Sequence, residues 1–527
     1  MFDYIIIGGG SAGCVLANRL TEDTGVRVLL LEAGESDKRW QIHTPAAFSQ
    51  LFKSSCDWAY ETEPQSQLEN RRLYMPRGKV LGGSSSINAM IYTRGHRYDY
   101  DLWRDLGNPG WGFENIIPYF RRAENQVRGK SEYHGIGGPL NVEDLQHVNP
   151  LTHAFVKACE EIGIRGNDDF CGPHQDGVGC YQVTQKHGKR HSAAAAYIAP
   201  VRHRPHLTVL TNSLVTQLQI SRNRVVGVDY LQEGMRQSAV AHREIILAGG
   251  AIGSPQLLML SGIGPADHLR SLDIPVVQDV PGVGRNLQDH LGIILTYRCT
   301  RPVSLVNAER LGSVLQYLLF KRGPLTSNVS EAGAFIRTEP GQPAPDLQVG
   351  FVPAYAHNRG FHRPRGHFFS IGCTYLRPFS HGFVQLRSRE PLEPPIIQPE
   401  YLSHPQDRCV LVEGVKLCRR IIQERSFADL RGNELFPGEE VQGDEAVLDF
   451  IRAFGQTVDH PVGTCKMGTD PMAVVDPELR VHGVEGLRVI DASIMPTVIS
   501  GNTNAPVIMI AEKAADMIRG IGPSQED

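Results

Sequence analysis

The chain has 527 residues, 41% of them hydrophobic and 21% charged, with 54 glycines and 34 prolines. That length exceeds what one hydrophobic core usually serves, so at least two domains packed as one body are expected, and the composition excludes a collagen-like or largely disordered chain. Lysine and arginine number 53 against 57 aspartates and glutamates, a net charge of -4, which gives no overall field to draw in nucleic acid.

The ten cysteines are scattered, with no CxxC pair, and read as buried free thiols of a reducing compartment. The opening Phe2 to Gly8 has neither the basic start nor the long apolar run of a secretory signal, so a cytoplasmic location is expected. The uncharged stretch Ile245 to Ala266 is cut by Gly249, Gly250, Gly253, Pro255, Gly262, Gly264 and Pro265 into strand, turn, helix and turn rather than a membrane span. Disorder is expected only in the polar end after Gly522.

In chain order, Tyr4 to Ile7 is a predicted strand leading into Gly8-Gly9-Gly10-Ser11-Ala12-Gly13, after which Val15, Leu16, Ala17 and Leu20 recur at helical spacing. A second strand, Val26 to Leu31, ends at Glu32. This is the βαβ order of a dinucleotide site: Gly8 for the tight turn, Gly10 for approach to a pyrophosphate, Gly13 for close packing of helix on strand. Glu32 can accept from both ribose hydroxyls and would repel a 2′-phosphate, which disfavours NADP and leaves NAD and FAD open.

Arg77 to Asn88 is dense in small and hydroxyl residues and, ahead of the apolar Ala89-Met90-Ile91-Tyr92, is expected to be a buried loop whose amides approach a ligand. Glu244 to Leu247 and Leu487 to Ile490 are predicted strands ending at Ala248-Gly249-Gly250 and Asp491-Ala492-Ser493, at a cofactor crevice. From Leu325 to Leu386, runs such as Ala332 to Ile336, Leu347 to Val352 and Gly382 to Arg387 predict a mainly antiparallel sheet that floors a substrate pocket, and Val410 to Ile422 an amphipathic helix. His187 with His191 and His203 with His206 are read as loop residues, not metal ligands, because Gly188 and Pro205 interrupt them.

Four segments together resemble the glucose-methanol-choline (GMC) flavoprotein oxidoreductases over nearly the whole chain: Gly8 to Gly13 with Glu32, Gly82 to Asn88, Gly253 to Gly264, and the pair His460 to Gly468 with Ser500 to Pro506. The resemblance implies an α/β fold, a Rossmann-like FAD-binding domain plus a substrate domain with a mainly antiparallel sheet flanked by helices. The boundaries expected are 1–155, 200–298 and 455–527 for FAD and 156–199 with 299–454 for substrate. It implies a noncovalent FAD on Gly8, Gly10, Ser11, Ala12, Gly13, Glu32, Ala33, Arg77, Gly78, Leu81, Gly82, Gly83, Ser84, Asn88, Ala89, Met90, Ile91, Val215, Ala248, Gly249, Asp491, Ala492, Asn502 and Thr503. Ile87 stands where some members carry the histidine that bonds FAD covalently.

The resemblance places the catalytic base on His460 and its neighbouring amide on Asn504. The chemistry wants such a pair: a neutral imidazole takes the hydroxyl proton as hydride leaves for flavin N5, and an amide N–H holds the developing alkoxide. The expected reaction is oxidation of a primary, aliphatic alcohol to the aldehyde, with electrons passed to a quinone or other non-oxygen acceptor and peripheral contact with the inner membrane. Open alternatives are an oxygen-using oxidase, a polyol-, sorbose- or choline-type dehydrogenase, and a lyase of the same fold. One departure from relatives is Asp459, at a position commonly Tyr or Trp; it either bonds a polar or cationic substrate or points into solvent.

Overall fold

The computed structural model describes residues 2–521; the end after Gly522 lies outside the described residues. Two seven-stranded sheets, among the described residues, organise the chain. In the first, Phe2–Ile7 lies between Val28–Leu31 and Met235–Leu247, in parallel with both, and Ile5 pairs with Leu29 on one side and Ile245 on the other. Leu207–Leu210 adds beyond Val28–Leu31, and Leu487–Val489 pairs in parallel with Met235–Leu247. These strands read as unbroken aliphatic runs because both sheet faces are covered, and Ile5, Ile6, Leu29, Leu30, Ile245, Ile246 and Val489 are all buried. The outer half of Met235–Leu247 continues into an antiparallel meander with Arg224–Gln232 and Ser213–Ser221.

The second sheet is antiparallel throughout: Arg431–Phe436, Leu291–Cys299, Phe368–Tyr375, Leu347–Val352, Ala332–Ile336 and Gly177–Cys180 in that order, with Gln456–Thr457 also on Leu291–Cys299. The helices Pro150–Glu161 and Pro405–Gln423 cover it, and Phe155, Phe351, Phe369 and Phe427 fill the core between. The α/β architecture and the antiparallel second sheet are those expected. Gly382 to Arg387, however, is not part of that sheet: Phe383–Gln385 forms a separate hairpin with Ile396–Gln398.

The structure also redraws the boundaries expected from sequence. Residues 291–298 and Gln456–Thr457 belong to the second sheet by their hydrogen bonds, and a break at 155 would cut the helix Pro150–Glu161 that packs there. Conversely, Ala193 to Ile198 pack in the first core against the helix Ser11–Leu20. Hydrophobic runs of similar character serve both cores, so runs alone do not say which sheet they join. All ten cysteines are free; Cys409 is exposed and Cys180 half-buried, the rest buried.

Candidate active site

Ile7, Leu31, Leu247 and Val489 end side by side, and the residues that follow them enclose one end of a cavity of about 1450 Å³. That exceeds a drug-sized pocket and leaves room for a dinucleotide with a small substrate. Gly8 turns with φ 103°, and a Cβ on Gly13 would lie 1.9 Å from the Gly8 carbonyl oxygen, so only glycine lets the helix Ser11–Leu20 seat on the turn. A Cβ on Gly10 would meet no protein atom nearer than 4.0 Å. Gly10 caps the helix without a side-chain hydrogen bond, leaving its first N–H groups for an anion. The cradle fits a pyrophosphate.

Glu32 is buried and spans the turn, accepting from Gly9 N at 2.8 Å and Gly34 N at 2.7 Å. Burial, against those two hydrogen bonds, pushes its carboxyl up to about 7. Gly82 and Gly83 have φ 91° and 53°, and Gly82 N donates to Gly9 O at 2.7 Å. Ser84 Oγ accepts from Arg77 Nη2 at 2.7 Å, and Asn88 Oδ1 accepts from Arg190 Nη1 at 2.7 Å. Every residue assigned to the site from sequence lines the cavity except Gly13, Leu81 and Gly82, which shape it from behind.

At the other end stands His460. Its Nε2 is 3.1 Å from Asn502 Nδ2, and its Nδ1 is 3.0 Å from His290 Nδ1, whose own Nε2 is 3.0 Å from Leu376 O. A carbonyl oxygen only accepts, so His290 donates from Nε2. Burial, opposed by the Leu376 carbonyl, holds His290 down to about 4, so it is neutral and its Nδ1 accepts. His460 must then donate from Nδ1. Burial first, then His290 and the Arg77 charge, lower its pKa well below the usual range, so Nε2 carries a lone pair. The Thr93 hydroxyl donates to Asn502 Oδ1 at 3.4 Å, which turns the amide N–H toward His460.

The amide beside His460 is therefore Asn502, not Asn504. Asn504 is the first residue of the final helix, Asn504–Arg519, and its Oδ1 accepts from Ser11 Oγ at 2.7 Å. The two asparagines are two residues apart, and only the backbone turn at the helix start decides which reaches the histidine.

His460 is held from its backbone by Asp289, whose Oδ1 accepts His460 N at 2.7 Å while Oδ2 accepts from the hydroxyls of Tyr401 and Thr457. Burial raises Asp289 to about 6, against these hydrogen bonds. Asp459 is held by the protein itself rather than left free to solvent. Its φ is 71°, and its carboxylate takes both Arg359 amino groups at 2.8 and 2.9 Å, while Arg77 Nη1 donates to its carbonyl at 2.8 Å. Burial opposes the Arg359 cation, but Asp459 outweighs it and the Arg359 pKa rises.

His290, Asp289, Arg359 and Thr93 were not singled out from sequence. A signal existed for the first two: Asn286-Leu287-Gln288-Asp289-His290 puts four polar residues directly before the apolar run Leu291 to Leu295, and polar side chains entering a buried strand need partners. Arg359 and Thr93 had none.

The molecule as a whole belongs with known proteins. Two family models described as GMC oxidoreductase match residues 2–292 and 378–511. The chain is 46% identical to mitochondrial choline dehydrogenase of Mus musculus, over 100% of this chain and 90% of that one. It is 45% identical to the alcohol dehydrogenase [acceptor] of Pseudomonas putida, over 98% and 96%. The crystal structure of pyridoxine 4-oxidase from Mesorbium loti superposes with a TM-score of 0.90, at 36% identity and 98% coverage of both chains. The chain belongs to the GMC oxidoreductase family, and with that family go FAD as cofactor and alcohol oxidation as chemistry.

Proposed function

We propose that His460 Nε2 is the base with which this FAD-dependent enzyme takes the hydroxyl proton of a primary alcohol, giving the aldehyde. The observation that carries this is the directed hydrogen-bond chain from Thr93 through Asn502, His460 and His290 to Leu376 O, which leaves the lone pair on the nitrogen that faces the cavity. The alcohol hydroxyl replaces the Asn502 N–H at that lone pair, and Asn502 Nδ2 then donates to the developing alkoxide. Bound FAD supplies the acceptor for the hydride that leaves the alcohol carbon. Gly10, Glu32, Gly83, Ser84 and Asp491 would hold it, and without a covalent bond, since Ile87 offers only an alkyl side chain. The first sheet with its flanking turns is the FAD-binding part, and the second sheet is the substrate part.

The acceptor we assign is a membrane quinone. The helix Leu311–Phe320 stands at the cavity rim, where Val314, Tyr317 and Leu318 line it, and it exposes Leu311, Leu315, Leu318, Leu319 and Phe320. Arg310 precedes it and Lys321 and Arg322 follow, with Lys186 and Lys189 on the hairpin whose Gly188 abuts the Lys321 carbonyl. An apolar helix face framed by cations suits an anionic bilayer surface, so contact is peripheral. No helix among the described residues is long and apolar enough to cross a membrane. The ten free thiols support a reducing, cytoplasmic setting.

The test is anaerobic titration of the holoenzyme with 1-alkanols, polyols, aromatic alcohols and choline while the flavin band is followed, and then addition of quinone or air. Bleaching by an alcohol with recovery on quinone alone supports the reading. Absence of bleaching by every alcohol overturns it in favour of a lyase, and recovery in air as fast as with quinone makes the enzyme an oxidase.

A further inference from the structure

Some relatives of this chain are named choline dehydrogenases. A quaternary ammonium donates no hydrogen bond, so a protein holds it with carboxylate charge and the faces of aromatic rings. Both are present near His460, and those around Arg359 are already in use. Asp459 is the carboxylate one residue away, and its two oxygens are taken by Arg359 at 2.8 and 2.9 Å. The second carboxylate, Asp289, is buried and spends its oxygens on Tyr401, Thr457 and the amides of His290 and His460.

The aromatic faces around Arg359 are occupied in the same way. The Arg359 guanidinium lies 5.6 Å from the Phe52 ring centre and 5.4 Å from that of Tyr74. The Lys53 ammonium lies 4.9 Å from Tyr74 and 5.3 Å from Phe361. Arg359 is aimed inward by a turn in which Asn358 and Arg359 both take left-handed backbone angles, φ 46° and 54°, and its Nη2 is further fixed on Thr457 O at 3.0 Å. Arg359, Asp459 and His460 all line the one cavity.

We propose that the Arg359–Asp459 pair selects substrates by charge: it excludes quaternary-ammonium alcohols such as choline and admits uncharged primary alcohols of the same shape. Asp459 cancels the Arg359 charge, so the pair offers a substrate ammonium nothing in exchange for the water it sheds, and that uncompensated desolvation disfavours the cation about 10²-fold against its uncharged isostere. The inference rests on the alcohol-oxidising reading of His460, whose substrate class it narrows.

The test compares choline with 3,3-dimethylbutan-1-ol, which replaces the ammonium nitrogen by carbon and keeps the shape. With the holoenzyme, kcat/KM for the uncharged alcohol should exceed that for choline about 10²-fold. Tetramethylammonium should fail to inhibit at concentrations equal to the KM of the uncharged alcohol. Arg359→Leu frees the Asp459 carboxylate and the Phe52 and Tyr74 faces, and should bring the two substrates within about tenfold, while Arg359→Lys keeps the cation and the discrimination. Equal kcat/KM for choline and its isostere, or inhibition by tetramethylammonium at that concentration, overturns charge selection while leaving the role of His460 standing. If neither these nor any other alcohol bleaches the flavin, the oxidoreductase reading has failed and this inference goes with it.

Discussion

His290 and His460 meet through their Nδ1 atoms at 3.0 Å, with ring planes at 87°, and this contact decides which nitrogen of His460 carries the proton. Removing the acceptor with His290→Leu lets His460 place its proton on Nε2, where it blocks proton abstraction. We expect kcat to fall about 10²-fold, a typical general-base contribution, with KM within about twofold. His290→Gln, which can return a carbonyl acceptor, should recover part of the loss; nitrogen-15 shifts of the His460 ring report the tautomer directly. An unchanged tautomer with lost activity would contradict the role given to His290.

Asn502 and Asn504 separate cleanly. Asn502→Ala removes the donor beside His460 Nε2 and should lower kcat/KM by about 10² to 10³-fold. Asn504→Ala removes only the acceptor of the Ser11 hydroxyl, and the rate should stay within about tenfold, with a stability loss of about 1 kcal/mol read from thermal unfolding. The opposite ranking would return the partner role to Asn504.

The acid limb of kcat/KM should lie well below pH 6.5. The reactive form is neutral His460, and burial, His290 and Arg77 all lower its pKa, so activity persists as pH falls through 6.5 and disappears only further down. Arg77→Met deletes one of the lowering charges and should move the limb upward. A limb at 6.5 in the wild type would mean that His460 is solvated.

Two glycines of one turn should fail differently. Gly10→Ala points a methyl group into open cavity and should weaken FAD binding, seen as loss of bound flavin at an unchanged apoprotein melting temperature. Gly13→Ala drives a methyl group onto the Gly8 carbonyl and should destabilise the apoprotein by about 1–3 kcal/mol, the usual cost of overpacking.

Leu315→Glu with Leu319→Glu should cut sedimentation with anionic vesicles at least tenfold and slow reduction of a long-chain quinone held in them. Turnover with a water-soluble dye should stay within twofold. Wild-type protein that ignores such vesicles, or that dimerises through this helix, would count against the bilayer as its partner.

Much of this was legible in the sequence where local geometry dictates residue type. Gly8 to Gly13 and Glu32 are specific because a Cβ at Gly13 or a missing acid at 32 breaks the βαβ site, and the aliphatic strands announce themselves by continuous burial. What failed was long-range or angular. His290 meets His460 across 170 residues, Arg359 reaches Asp459 across 100, and a half turn of backbone separates Asn502 from Asn504. No periodicity encodes such meetings. The strand Leu291–Cys299 joins the antiparallel sheet although the expected FAD segment runs to residue 298, because its apolar pattern suits either sheet.

The first sheet draws on both ends of the chain. Leu487–Val489 completes it beside Met235–Leu247, and Glu512 on the final helix ties together Arg19, Arg122 and Tyr197. During synthesis, then, the strand Phe2–Ile7 emerges long before its cover and cannot be sealed until about residue 519 has left the ribosome, roughly 25–105 s later at about 5–20 residues per second. For that interval its aliphatic face needs shelter, and a stop codon anywhere before the final helix forfeits the nucleotide fold built far upstream of it.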